Sequence, residues 1–315
     1  MSEDIHAKIS RIFESTKYLV IKSEHDPNKY YILNKDDVSK QCVSFTINDD
    51  HIYVNLLTKC NNESSALQLK LIEQFANEME SINYIKLEDA SHIIICGQSI
   101  DLAIFKILLS GVSWYNSLGY VSENYELEKI KNRDLKNMPV LKIITLSRNK
   151  EIEEFNANNT LEKLQEKLKN VEEKLKSAAT KIHLNQKKKF EDKISNHDFY
   201  IKTEIDSIES YYRNFEILLI LLHKTTSVKF EMTLHEVFLA IFSLLPKDCK
   251  DVDDTILKAF AKIIEIAEKL FLYKRKLTKL TRTRGGKKYK SKKSKLKKYK
   301  IMNKTRVYRK HAVFF

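Results

Sequence analysis

The stretch Ser113-Trp114-Tyr115-Asn116-Ser117-Leu118-Gly119-Tyr120, SWYNSLGY, holds the only tryptophan of the chain and one of its five glycines. Small polar residues and a glycine set among large aromatic ones spell a turn held against a core, because glycine reaches left-handed backbone angles at no steric cost. Just upstream, Ile100–Ser110 reads as an apolar helix, with Gly111 placed as its C-terminal cap. Just downstream, Tyr120–Tyr125 reads as a strand. The stretch is therefore the corner between a buried helix and a sheet.

Working outward, Ile5, Ile9 and Ile12 recur at helical spacing over 5–15. Four β-rich runs follow at Tyr18–Lys22, Tyr30–Leu33, Cys42–Ile47 and His51–Thr58, with Asn48-Asp49-Asp50 as a tight turn between the last two. In the fourth run Ile52, Val54 and Leu56 alternate with Tyr53 and Asn55, which buries one face. Residues 61–65, NNESS, open a helix whose apolar stripe is Ala66, Leu69, Ile72, Phe75, Ala76 and Met79. Ile82–Leu87 and Val140–Leu146 read as further strands. Residues 1–150 thus read as one α+β domain, a mixed sheet with flanking helices.

From about 150 the period changes. Leu161, Leu164, Leu168, Val171, Leu175, Ala178 and Ile182 alternate steps of three and four, an a/d seam that predicts a coiled coil and self-association through 161–182. Its start carries Asn159 and Glu162 in a capping-box arrangement. Helices are predicted over 201–223, 234–245 (stopped before Pro246) and 254–274. The expectation for 151–280 is an all-α bundle, in the same chain or between chains. Residues 281–315 are low-complexity and lysine-rich, and are expected to be a disordered basic tail.

Composition supports this division. Five glycines and three prolines in 315 residues, with 31% charged residues, favour helix over turn-rich β structure. Nineteen of the 56 Lys and Arg lie in 274–315, which holds no Asp or Glu, so the net charge of +14 belongs to the end of the chain and the body is mildly acidic. Such a segment neutralises phosphates, and Tyr289, Tyr299 and Tyr308 within it offer rings for stacking, so nucleic acid or another polyanion is the expected partner of 274–315. A targeting or solubilising role fits the same composition. The four cysteines are far apart, with no Cys-x-x-Cys and no Cys/His spacing of a zinc site. They read as reduced thiols of an intracellular protein, cytoplasmic or nuclear, and no metal is expected. MSEDIHAKIS has no apolar region of a signal peptide, and no apolar run reaches membrane-spanning length.

Within this frame Tyr115-Asn116-Ser117-Leu118-Gly119-Tyr120 resembles the Tyr-x-x-x-Gly-aromatic signature of GNAT-type N-acetyltransferases. The element order over 18–146 looks like that family too. The resemblance implies a GNAT-like fold and an acyl-CoA cofactor such as acetyl-CoA. It also implies a pyrophosphate site at the start of the helix near residue 64, formed by Asn61, Asn62, Ser64, Ser65 and Ala66, with Leu57 at the end of the preceding strand. Ala66 fits the family's phosphate loop, whereas Ser64 stands where glycine is usual, Asn61 where Gln or Arg is usual, and Glu63 adds a negative charge. Two readings of 61–66 stand: an ordinary capped helix start, or exposed amides that hold phosphate. Tyr115 is the implied general acid toward the departing thiolate, since a phenol's pKa of about 10 lies near that of a thiol; its alternative is a core aromatic. Glu88 and Asp89, with His92 nearby, follow the strand where the family places a base. Two functions follow: an acyl-CoA-dependent N-acetyltransferase, or a non-catalytic GNAT-like scaffold that holds nucleic acid through its tail. The lysine- and asparagine-rich text resembles, in style, proteins of large DNA viruses, which would place it in a host cell or virion.

Overall fold

The computed structural model describes residues 4–14, 17–60, 64–177, 180–246 and 249–281. Asn61, Asn62, Ala178 and the tail beyond Thr281 lie outside them. Met1–Thr281 form one compact unit.

The chain opens with helix α1 (Ile5–Glu14) and the strands β1 (Tyr18–Lys22), β2 (Lys29–Asn34), β3 (Gln41–Ile47) and β4 (His51–Leu57), which form an antiparallel meander. Helix α2 (Ser65–Glu78) then crosses over to β5 (Tyr84–Glu88), which lies parallel to β4. The hairpin β6 (His92–Ile95) and β7 (Gln98–Asp101) leads into α3 (Leu102–Ser110) and the single turn α4 (Trp114–Ser117). Seven helices follow: α5 (Tyr125–Lys136), α6 (Val140–Asn158), α7 (Leu161–Ser177), α8 (Lys181–Ser195), α9 (His197–Thr225), α10 (Leu234–Leu244) and α11 (Asp254–Leu270). The last element is β8 (Lys276–Leu280), antiparallel to β5, which completes a six-stranded sheet in the order β1-β2-β3-β4-β5-β8.

Alternation decides how the sheet packs. Tyr30 and Ile32, Val43 and Phe45, Ile52 and Val54, and Ile85 and Leu87 are all buried. They meet Ile9, Ile12 and Phe13 of α1 and Leu69, Ile72, Phe75 and Ala76 of α2 in one core. Phe45 is its hub, with ring centroids 5.8 Å from Tyr30, 6.4 Å from Phe13 and 6.2 Å from Phe75. Each such side chain contributes about 1.5–3 kcal/mol on leaving water. A second core joins α3 to the later helices, with Phe105, Phe238 and Phe242 in mutual ring contact and Phe260 stacked on the last two.

Several expectations are corrected. Val140–Leu146 is not a strand but the start of α6: Val140, Ile143, Ile144 and Ser147 are buried at helical spacing, and the Ser147 hydroxyl bonds Tyr212 of α9 at 2.8 Å. Of the strand expected over 120–125 only one bridge remains, Val121 to Thr278. Residues 276–280, expected at the start of the basic segment, are β8 instead. Because the sheet is closed by a strand that follows the helices, the helical region is an insertion in the sheet's path, and the division expected at 150 falls inside α6. The heptad seam is used within the chain: α7 folds back on α8 around buried Leu164 and Val171, with Lys187 paired to Glu172 at 3.1 Å, while Ile182 is 68% exposed on the second helix.

The cysteines are also corrected. Cys42 and Cys60 are joined across a Cα distance of 5.5 Å, and Cys96 and Cys249 across 5.0 Å. The first pair is local, since β4 returns beside β3. The second brings the β6–β7 turn to the loop before α11, which no spacing in the sequence announces. The intracellular placement inferred from reduced thiols loses that support. Among the described residues no helix is long and apolar enough to cross a membrane.

Candidate active site at the parting of two strands

The one parallel junction of the sheet is also where it comes apart. The β4–β5 ladder runs from His51–Tyr84 to Val54–Leu87 and stops, although β4 continues to Leu57. A bulge lies on the other edge of β4. The strand's register against β3 jumps from Phe45–Val54 to Ser44–Leu56, so Asn55 is an extra, bulged residue. A bulge bends its strand and increases local twist, and β5 itself ends at Glu88, one residue past the last rung. Asn55 and Leu56 are accordingly exposed, Leu56 by 38%, although the alternation expected from Ile52 and Val54 would bury Leu56. Leu57 is half-buried against the core.

Beyond Leu57 the chain stays with β3. The Thr58 amide donates to the Cys42 carbonyl at 2.8 Å, its hydroxyl donates to the Gln41 carbonyl at 2.8 Å, and Cys60 is bonded to Cys42. α2 starts after the undescribed residues 61–63. Ser64 is its N-cap, its side chain accepting from the Ala66 amide at 3.2 Å, and the first turn carries no acidic residue. The helix N-terminus therefore presents positive potential. Ser65 and Ala66 occupy the first helical positions and are half-buried; Asn61 and Asn62 lie outside the described residues.

At the C-terminal end of β5 sits a polar cluster. Asp89 is buried; its carboxylate accepts from the Tyr273 hydroxyl at 2.6 Å and from the Ser91 amide at 3.0 Å. Arg275 donates to the Asp89 carbonyl at 2.9 Å and to the Asp101 carboxylate at 2.6 Å. The other oxygen of Asp101 caps α3 through the Ala103 and Ile104 amides at 2.8 and 3.1 Å. Burial, then the Asp89 charge, raises the Tyr273 phenol, and burial followed by repulsion from Asp101 raises Glu268.

SWYNSLGY borders this cluster. Ser113 caps α4 by accepting from the Asn116 amide at 3.1 Å, and Asn116 donates its side-chain amide to the Tyr120 carbonyl at 2.8 Å. Gly119, at φ +88°, turns the chain. Lys279 of β8 fixes the corner from outside: its ammonium donates to the Leu118 carbonyl at 2.8 Å and pairs with Glu73 of α2 at 2.8 Å. Tyr115 is 6% exposed and lies edge-on to Trp114, ring centroids 4.8 Å apart. Burial pushes its phenol up to about 12; a hydrogen bond with Ser91 works the other way, and the Asp89 charge adds to the rise.

The fold thus brings Tyr115 and Asp89 into one neighbourhood. Glu88 is exposed and faces Lys276 in the β5–β8 ladder, outside the cluster. His92 is exposed, with its ring nitrogen on the Ala90 carbonyl at 2.9 Å. The sequence reading missed Tyr273, Arg275, Asp101 and Ser113. Arg275 was masked as a signal because it stands at the head of a basic run. Among the described residues no group of His, Cys, Asp and Glu has a metal-binding arrangement. No family model, curated protein or solved structure matches this chain.

Proposed function

We propose that the chain is an acyl-CoA-dependent N-acyltransferase with a GNAT-like sheet, its helical region inserted before the closing strand. The observation that carries this reading is the end of the parallel β4–β5 ladder at the Asn55 bulge, with capped helix α2 following the C-terminal end of β4 and Asp89, beside Tyr115, following the C-terminal end of β5. An acetyl thioester would supply an activated carbonyl. The free edge of Asn55–Leu57 would pair with the amides of its extended arm, Leu56 and Leu57 would cover its apolar parts, and the amides of Ser65 and Ala66 would face its phosphates. The acceptor nitrogen forms the new C–N bond and loses a proton to Asp89 or water, while the C–S bond breaks. A phenol near 12 lies about 3.5 units above an ordinary thiol. Full proton transfer to a departing thiolate would cost about 5 kcal/mol at that difference. In this reading Tyr115 therefore donates a hydrogen bond to the sulfur, and solvent supplies the proton.

Isothermal titration with acetyl-CoA, followed by thiol release in the presence of polyamine, peptide-lysine and aromatic amine acceptors, tests the proposal. Heat of binding below millimolar ligand and acceptor-dependent thiol release are expected. No heat at millimolar ligand overturns it.

A second reading, a scaffold without catalysis, rests on the run of Lys and Arg after Thr281, free of any acidic residue. Deleting 282–315 is then expected to abolish salt-sensitive nucleic-acid binding through that segment. Unchanged affinity after the deletion would remove the tail as the contact.

A further inference from the structure

The α7–α8 hairpin carries a feature that neither the sheet nor the tail explains. α7 presents Lys167, Asn170, Val171 and Lys174 at spacings of three and four, and α8 presents Gln186, Lys189, Phe190 and Lys193 at the same spacings. Residues so spaced share one helix face. The two faces meet along a groove of about 540 Å³ that is lined by four lysines and no carboxylate. Val171 and Phe190 give it an apolar floor.

Outside the groove, Lys187 is held in ion pairs, with Glu172 at 3.1 Å and Glu191 at 3.6 Å. Inside the groove, Lys167 donates to the Asn158 carbonyl at 2.8 Å and Lys193 to the Tyr200 hydroxyl at 2.6 Å, contacts that leave both positive charges uncompensated. Among the described residues no carboxylate pairs with Lys174 or Lys189. On the other side of α8, Lys189 and Lys193, with Lys188, also border a second hollow of about 740 Å³ that the carboxylates Asp192 and Glu204 line as well, and there Phe199 is 74% exposed. The groove's cations, free of carboxylates, attract a string of phosphates, and the exposed ring in the adjoining hollow offers a face on which a base can stack. A duplex hides its base faces, so only a single strand uses both features.

We propose that the α7–α8 hairpin is a binding site for single-stranded nucleic acid, with phosphates along Lys174, Lys189 and Lys193 and a base on Phe199. It is independent of the acyl-transfer site and of the terminal segment.

The test uses the full chain and a short fluorescent oligodeoxythymidine. K174Q/K189Q removes two groove cations, while K169Q/K176Q removes two exposed cations of α7 that do not line either hollow. At a salt slope of about 0.7 per phosphate, loss of two contacts lowers affinity about 25-fold at 0.1 M salt and flattens the slope by about 1.4. The K169Q/K176Q pair is expected to stay within about 2-fold of the parent. Because the tail can hold a strand by itself, amine-labelling of the parent is read in parallel, with Lys174 and Lys189 expected to become protected by the oligonucleotide. Equal losses from both pairs would mean that bulk charge alone acts, and overturn the site. So would absence of protection, or stronger protection of the same lysines by duplex of equal length.

Discussion

The two cross-links make the sharpest test of the structure, because the sequence argued for free thiols. Cys96 and Cys249 are 153 residues apart and Cys42 and Cys60 are 18 apart. On the chain-entropy account, closing the longer loop restricts the unfolded chain by about 5 kcal/mol and closing the shorter one by about 3 kcal/mol. C96S/C249S should therefore destabilise the oxidised protein more than C42S/C60S. With a urea m-value of about 3 kcal/mol/M, the midpoints fall by about 1.7 M and about 1 M respectively. Trp114, half-buried against Tyr115, reports the transition by fluorescence, and far-UV circular dichroism checks that helix and sheet are lost together. Excess reductant supplies the internal control, bringing the parent down toward the combined variant. Four titratable thiols in the denatured, unreduced parent would refute the pairing. A parent midpoint indifferent to reductant would do the same, as would a larger shift from the shorter loop.

Three further outcomes follow from the site and its supports. Tyr115→Phe should lower kcat for acyl transfer by about 100-fold and leave KM for the acyl donor within about 2-fold, since the hydroxyl donates its hydrogen bond only to the charge that develops on the departing sulfur; an unchanged kcat would exclude Tyr115 from the chemistry. Gly119→Ala should cost about 1–2 kcal/mol in a denaturation midpoint. An added Cβ meets Lys279 at an ordinary 3.5 Å, so the cost lies in the positive φ of +88°. Burial works to raise Glu151, but its bonds to Lys269 and Tyr212, both 2.8 Å, outweigh that and hold the carboxyl below the ordinary carboxylate value. Its folded pKa is depressed, so the stabilisation is fully present above about pH 4.3 and is lost as pH falls through the folded value. Glu151→Gln should thus weaken the protein at neutral pH and flatten its acid limb, and an acid limb as steep as the parent's would count against the pairing.

Local chemistry announced much of this molecule and chance similarity hid some of it. Ile52 and Val54 alternate because one face of β4 meets a core, and Gly111 stops α3 at φ +90° because a left-handed cap needs no Cβ. The hairpin turn at Cys96 and Gly97 has both residues at positive φ, the backbone of a two-residue turn. Val140–Leu146 has an apolar pattern that suits either a strand or a helix, and only burial against α9 and α10 selects the helix. Tyr115 stood out as an aromatic beside a glycine turn. Burial sets its acidity first; the groups that modify it, Ser91 and Asp89, lie in the segment after β5, and those of Asp89, Tyr273 and Arg275, lie 184 and 186 residues along the chain.

Sequence by itself therefore determined the four β-rich runs, the helix after them, the cap at Gly111 and the charge divide, since each depends on local spacing or composition. Tertiary structure decided that LTKL, set in a lysine-rich run, closes the sheet, that the heptad seam folds on its own chain, and that Cys96 meets Cys249. In each of these the stabilising contact joins distant segments. β8 is held by the ladder to β5 and by Lys279 on Glu73, and no local period encodes a partner that only folding brings near.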